Sequence, residues 1–282
     1  MVMKNKSEHS NPKSVKSINF PNSISIKKVG IISRDYRKED KNKFRDFSYT
    51  FKSILLHLNQ QGCDSAIFSL FTLIKRKSFD AKQTLNKMEI NNIKTIFIEE
   101  FIDGNEREAG EYVVYFKDKN IWKEYRLIQK FGTLKYTKSF KDTVIKPFKA
   151  EVKAQRLLGN CTVLLCGETN IVKYSKASKK IEDKFNFLRI LNKDTNIILN
   201  PIHDRMTRFE MKLKRQYLSK NKRWVISVWS KGKSDKNGKI KDGEKPAWTI
   251  FYNGKEKNIK PIVCSISNQI NLEIGILDLN NA

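Results

Sequence analysis

An α/β layered architecture is predicted from three observations. Apolar runs of strand length recur along the 282 residues, amphipathic segments of helical period lie between several of them, and no internal repeat suggests a solenoid or propeller. The pattern yields about ten strands and four helices, with the helices segregated early and late.

Residues 1–23 lack apolar periodicity and are expected to form a disordered basic tail, leaving 24–282 as one domain. Lys28 to Ile32 reads as a first strand. From Lys43 to Asn59, Phe44, Phe47, Phe51, Ile54, Leu55 and Leu58 fall at helical spacing, which predicts an amphipathic helix packed on a sheet. Ser65 to Phe68 follows the turn at Gly62 as a second strand, Ser78 to Met88 as a second helix, and Thr95 to Ile98 as a third strand. Glu111 to Phe116 and Ile121 to Ile128, separated by four polar residues, form a hairpin-like pair. Thr162 to Leu165 is a strand, Lys179 to Leu191 a helix, and Asn196 to Leu199 a strand ending in Asn200-Pro201. A basic helix from Met206 to Ser219 leads into Arg223 to Trp229. The Lys/Gly-rich stretch from Ser230 to Lys245 is an exposed loop. Trp248 to Tyr252, a turn at Asn253-Gly254, and Ile274 to Leu279 complete the sheets.

Four scattered cysteines without CxxC pairing, and no signal-peptide core or long apolar span, predict a cytoplasmic chain with reduced thiols and no membrane partner. Three dispersed histidines give no metal site, and no cofactor motif is present. The formal charge of +26 favours a polyanion, so nucleic acid is a possible partner of the basic surface. Two stretches concentrate it: Lys130 to Arg156 has eight basic and two acidic residues, and Arg205 to Arg223 eight and one. Solvated helix faces and an AT-rich coding bias are the competing explanation.

Cys166 is the most informative residue. The apolar run Thr162-Val163-Leu164-Leu165 stops there, and Cys166-Gly167-Glu168-Thr169-Asn170 turns sharply into polar surroundings. A thiol at the carboxyl end of a central strand, followed by Gly, can project from a tight turn beside exposed N–H groups, as a nucleophile with an oxyanion hole requires. A buried core cysteine is the alternative.

Four segments in order resemble the carbon–nitrogen hydrolase (nitrilase) superfamily. They are Leu164 to Asn170, with its Cys-x-Glu; Asn196 to Pro201, with its Asn-Pro; Trp248 to Gly254; and Glu273 to Leu279. The resemblance spans Val29 to Leu279. It implies a four-layer α-β-β-α sandwich of mixed sheets flanked by helices, homo-oligomerisation, and a Glu-Lys-Cys set that hydrolyses a small-molecule amide or nitrile through a thioester. Cys166 is then the nucleophile and Lys130 the lysine, with Lys135 and Lys138 as alternatives, while Gly167, Glu168, Asn200 and Pro201 shape the site.

The general base is the departure from that family's pattern. Ser69 and Leu70 stand at the end of the second strand, where the glutamate is expected, so Glu99 or Glu100 at the end of the next strand is the candidate for a displaced carboxylate. An impaired, nitrilase-like binding or assembly component in a nucleic-acid or antiviral-defence setting is the alternative function. His203-Asp204 reads as a turn. Glu210-Met211-Lys212, with Asp194 or Asp204 upstream, mimics a Mg-dependent nuclease, but lies on a helix that cannot point both side chains to one face.

Overall fold

The computed structural model describes residues 24–33, 48–70, 73–75, 79–102, 111–203, 209–230, 246–264 and 272–281. The expected tail, most of the Ser230 to Lys245 loop, Phe44, Phe47 and Asp204 lie outside the described residues. In chain order the elements are β1 (Lys28–Ser33), α1 (Ser48–Gln60), β2 (Ser65–Phe68), β3 (Leu73–Lys75), α2 (Ala81–Asn86), β4 (Thr95–Ile102), β5 (Glu111–Asp118) and β6 (Ile121–Leu127). There follow α3 (Lys138–Phe140), α4 (Lys146–Ala154), β7 (Leu157–Leu158), β8 (Cys161–Val163), β9 (Lys173–Ser175), β10 (Lys180–Glu182), α5 (Phe187–Ile190) and β11 (Ile197–Ile202). The last are α6 (Phe209–Leu218), β12 (Trp224–Trp229), β13 (Trp248–Tyr252), β14 (Lys255–Lys257) and β15 (Glu273–Asp278).

Two large mixed sheets result. The first runs β15-β1-β2-β4-β5-β6, with β3 also on β4; β1, β2 and β4 are parallel at its centre. The second runs β14-β13-β12-β11-β8-β7, with β8, β11 and β12 parallel at its centre. Strands that read as continuous apolar runs are these central parallel ones, because both faces are covered.

Three cores separate four layers. Phe51, Ile54, Leu55 and Leu58 of α1 pack on Ile96, Ile98 and Val113 of the first sheet. The opposite face of that sheet, with Ile31, Ile67, Phe97 and Val114, meets Val163, Leu199, Ile226 and Ile250 of the second. The outer face of the second sheet, with Leu164, Ile198 and Val225, is covered by Phe148 and Val152 of α4, Phe187 of α5 and Leu218 of α6. This is the α-β-β-α sandwich the resemblance implied. Gly30 lets α1 sit close, since a Cβ there would lie 2.6 Å from both Leu58 methyls.

Several elements differ from the sequence reading. Lys179 to Leu191 is not one helix: Lys179 adopts φ 51°, the β9–β10 hairpin closes through it, and Asn186 at φ 53° breaks the path before the single turn of α5. The basic stretch Lys138 to Ala154 is helical: a π-helical turn between α3 and α4 buries Ile145, and α4 buries Phe148 and Val152. Strands β4 and β11 run past their apolar cores, so Glu99, Glu100, Asn200 and Pro201 stand inside strands rather than after them.

Candidate active site

The strand period of two explains what converges at the carboxyl ends of the parallel strands. In β4, Ile96 and Ile98 face α1, so Phe97 and then Glu99 face the second sheet. Glu99 is 3% exposed. In β11, Ile197 and Leu199 face the first sheet and Ile198 faces away, so Asn200 points to the outer helices while the residue just beyond the strand, His203, can meet Glu99. Nε2 of His203 lies 3.4 Å from Oε1 of Glu99, and the same ring shares a hydrogen bond with the Cys166 side chain. A carboxylate, an imidazole and a thiol thus form a continuous set.

Burial pulls the His203 ring down, but its interactions with the Cys166 and Glu99 side chains outweigh this and raise it from the ordinary 6.5 to about 9. The ring is therefore an imidazolium at neutral pH. Sequence reading treated His203 as a turn residue; its role became visible only when β4 proved long enough to carry Glu99 to it.

Cys166 occupies a strained elbow. It has φ +32°, a value non-glycine residues seldom adopt, and a 3₁₀ turn from Cys166 to Ile171 follows. Glu168 anchors that turn from below. Its carboxylate accepts from the N–H of Leu165 (2.8 Å) and of Lys130 (2.7 Å), and takes both terminal nitrogens of Arg156, at 2.5 and 3.1 Å. Arg156 also reaches Glu151 through Nε at 2.9 Å. Both Arg156 and Glu168 are fully buried, and the two carboxylates outweigh the effect of burial to raise Arg156 above its ordinary value. Gly167 is required by crowding: a Cβ there would lie 2.5 Å from both Cα and O of Gly132.

A second buried cation stands behind the elbow. Arg215, on the inward stripe of α6 formed with Met211 and Leu218, donates from Nε to Oγ of Ser227 (2.7 Å), from Nη1 to the Met211 carbonyl (2.8 Å) and from Nη2 to Oδ1 of Asn200 (2.7 Å). Asn200 in turn donates from Nδ2 to the carbonyls of Leu164 (2.6 Å) and Cys166 (3.5 Å). All these acceptors are neutral, and among the described residues no carboxylate pairs with Arg215. Burial lowers its guanidinium to about 10, opposed by Cys166. Arg215 was missed from sequence, where it is one of many basic residues; a charged residue on an apolar helical stripe was the available signal.

The other sequence candidates fall elsewhere. The Lys130 ammonium is 2.8 Å from Glu151, while its backbone N–H serves Glu168. Glu100 faces the α1 side, accepting from the Tyr115 hydroxyl and lying 3.7 Å from Arg126. Ser69 is buried and accepts from Ser230, which also donates to the Leu70 carbonyl at 3.0 Å, so the end of β2 is closed by hydroxyls rather than a carboxylate. Pro201 is buried within β11. Lys212 of the Glu-x-Lys triplet is engaged by Glu256 at 2.7 Å. Among the described residues no group of three or more metal-ligating side chains is arranged to hold an ion, and no helix is long and apolar enough to cross a membrane.

No protein-family model matches the sequence, and no curated protein does. Among solved structures, a glutamine-dependent NAD(+) synthetase from Cytophaga hutchinsonii matches with TM-score 0.46 and 10% identity over 91% of this chain, which spans 43% of the synthetase chain. Saccharomyces cerevisiae Nit3, a member of branch 10 of the nitrilase superfamily, matches with TM-score 0.45 and 11% identity over 90% of both chains.

Proposed function

We propose that the chain is a thiol-dependent hydrolase of a non-peptide C–N bond, an amide or a nitrile, with Cys166 as nucleophile and Glu99 and His203 as its proton-handling partners. The observation that carries the reading is the contact of His203 with both Cys166 and buried Glu99, at an elbow strained to φ +32°. The raised imidazolium and Arg215 are two cations that interact with Cys166.

An amide is hydrolysed in two stages, through a thioester on Cys166. The Cys166 sulfur attacks the carbonyl carbon, the C=O π electrons move to oxygen, and a tetrahedral intermediate forms. His203 gives its proton to the departing nitrogen, the C–N bond breaks, and the amine leaves a thioester on Cys166. Neutral His203 then takes a proton from water as that water attacks the thioester carbon. Collapse expels the thiolate and releases the acid, and Glu99 steadies the imidazolium that returns. Lys130, the lysine the resemblance supplies, has its ammonium on Glu151, and no step here uses it.

The test is hydrolysis of a panel of simple amides and nitriles by the wild-type chain and by Cys166→Ala, with trapping of the thioester by hydroxylamine. Turnover lost in Cys166→Ala supports the proposal; equal turnover overturns it. The formal charge of +26 favours a second reading, nucleic-acid binding. In that case affinity for an oligonucleotide falls steeply with salt.

A further inference from the structure

The positive charge is not spread evenly, and the fold gathers it on one side. Residues 48–128, which supply α1, α2 and β2 to β6, carry 12 basic and 11 acidic side chains, whereas residues 129–194, which supply α3 to α5 and β7 to β10, carry 15 and six. A coding bias toward lysine would act on both segments alike. Phe140 of α3, Phe148 of α4, Ile181 of β10 and Phe187 of α5 all pack in the core on the outer face of the second sheet, so the basic segment covers that face.

Two parts of the segment converge there. On α4, Lys146, Lys149 and Lys153 follow the spacing that sets side chains along one flank of a helix. Lys149 Nζ donates to the Phe185 carbonyl at 3.2 Å, so this flank faces the chain between β10 and α5. Tyr136, just before α3, stacks on Phe185 with centroids 6.0 Å apart, and Nζ of Lys173 and of Lys184 lie 5.3 and 5.1 Å from its ring centroid. The turn of the β9–β10 hairpin adds exposed Lys176, Lys179 and Lys180.

Most carboxylates of this segment are engaged within it. Glu151 and Glu168 hold Arg156, and Glu151 also holds Lys130. Asp183 accepts from the N–H groups of Phe187 (2.7 Å) and Leu188 (3.0 Å), and Glu182 lies 3.3 Å from Lys184. Exposed Lys138, Lys141, Lys146, Lys153, Lys176 and Lys180 have no carboxylate at ion-pair distance among the described residues. The other basic stretch contributes less, because Lys212 is on Glu256, Lys214 on Asn170, and Arg215 and Arg223 are buried.

From this one-sided, uncompensated charge we infer that α4 and the β9–β10 hairpin form an interaction surface for single-stranded nucleic acid, held by its phosphates. Lysines are compact point charges, and a flexible strand can follow them across two separate elements. A bilayer fits less well: Phe148 and Val152 of α4 are buried, and Tyr136, 46% exposed, is the one exposed large apolar side chain of residues 129–194 among the described residues, which leaves no apolar face to enter lipid. The inference rests on the nucleic-acid reading and gives it a location; it uses no residue of the Cys166 set.

The test is fluorescence anisotropy of a labelled oligothymidylate with the full chain, from 50 to 200 mM salt. Neutralising on the order of five phosphates at a slope of about −0.7 each should weaken binding about 100-fold over that range. Lys146→Glu/Lys176→Glu/Lys180→Glu should weaken binding at least ~10-fold at 50 mM and reduce the slope by about 2, and glutamine at the same positions should do so to a lesser extent. Lys52→Glu/Lys87→Glu/Lys94→Glu, on the first-sheet side and equal in charge change, should cost less than about 3-fold, since screening limits charges off the contact surface. All six lysines are exposed, and urea midpoints verify folding. Equal weakening by the two triple glutamate variants overturns the surface and leaves the nucleic-acid reading standing. No binding at 50 mM, or binding indifferent to salt, overturns both. Displacement of the oligonucleotide by phosphatidylserine vesicles or polyglutamate at lower charge concentration overturns the inference in favour of a membrane or an acidic protein.

Discussion

Replacing His203 by Gln should destabilise the protein in a pH-dependent manner whose sign is fixed by the site. The folded ring is raised from 6.5 to about 9, so its stabilising contribution is fully present below pH 6.5 and is lost as pH rises through about 9. At about 1.4 kcal/mol per tenfold change in proton affinity, the difference corresponds to roughly 3 kcal/mol. A quarter of the side chain is exposed, and part of the effect requires an ionised Cys166, so about 2 kcal/mol is expected after screening. Urea unfolding of wild type and His203→Gln at intervals from pH 6 to 10 measures this directly. The gap should be about 2 kcal/mol at pH 6 and should narrow to a few tenths of that near pH 10. A gap of the same size at both ends would refute the view that His203 is held as an imidazolium by Glu99 and Cys166.

Other outcomes follow from neighbouring contacts. Arg215→Met should cost about 1–3 kcal/mol in urea unfolding, since it removes the buried donor to Ser227 Oγ, the Met211 carbonyl and Asn200 Oδ1; wild-type stability contradicts that role. Glu168→Gln strips one partner from a fully buried ion pair and should cost about 3–5 kcal/mol in chemical denaturation, so near-wild-type stability would show that the elbow does not depend on Arg156. Gly167→Ala should lower the urea midpoint by the equivalent of about 1–3 kcal/mol, because its methyl overlaps Gly132 backbone rather than a movable side chain.

How much could be read from the residues depended on whether apolar pattern and function coincide. The strand at Ser65–Phe68 and the turn at Asn253-Gly254 were legible to the residue, because a short apolar run after a glycine turn and the turn chemistry agree there with the fold. β4 and β11 read short for a physical reason. Their apolar runs stop where Glu99 and Asn200 begin, yet hydrogen bonding continues, since tertiary partners compensate the buried polar groups. The sequence therefore identified the elbow at Cys166 and offered Glu99 as one of two displaced carboxylates, but read His203 as a turn residue; the two lie 67 residues before the thiol and 37 after it. In α4, lysines between Ile145, Phe148 and Val152 masked a genuine helical stripe. Arg215 was hidden by the abundance of basic residues around it.

The anchoring of Glu168 also fixes when, during folding, the thiol acquires its setting. Its carboxylate needs the N–H of Lys130, 38 residues away, and the guanidinium of Arg156 across β7 and β8, while Gly167 must find the backbone of Gly132. None of these partners is local to the turn, and closing such loops before any contact forms is entropically unfavourable. Only local bonds, those between Leu165 and Glu168 among them, hold the strained backbone at Cys166 until the hairpin, α4 and the second sheet have docked. The Glu99–His203–Cys166 set is thus assembled by the whole fold and not by the turn that carries the thiol.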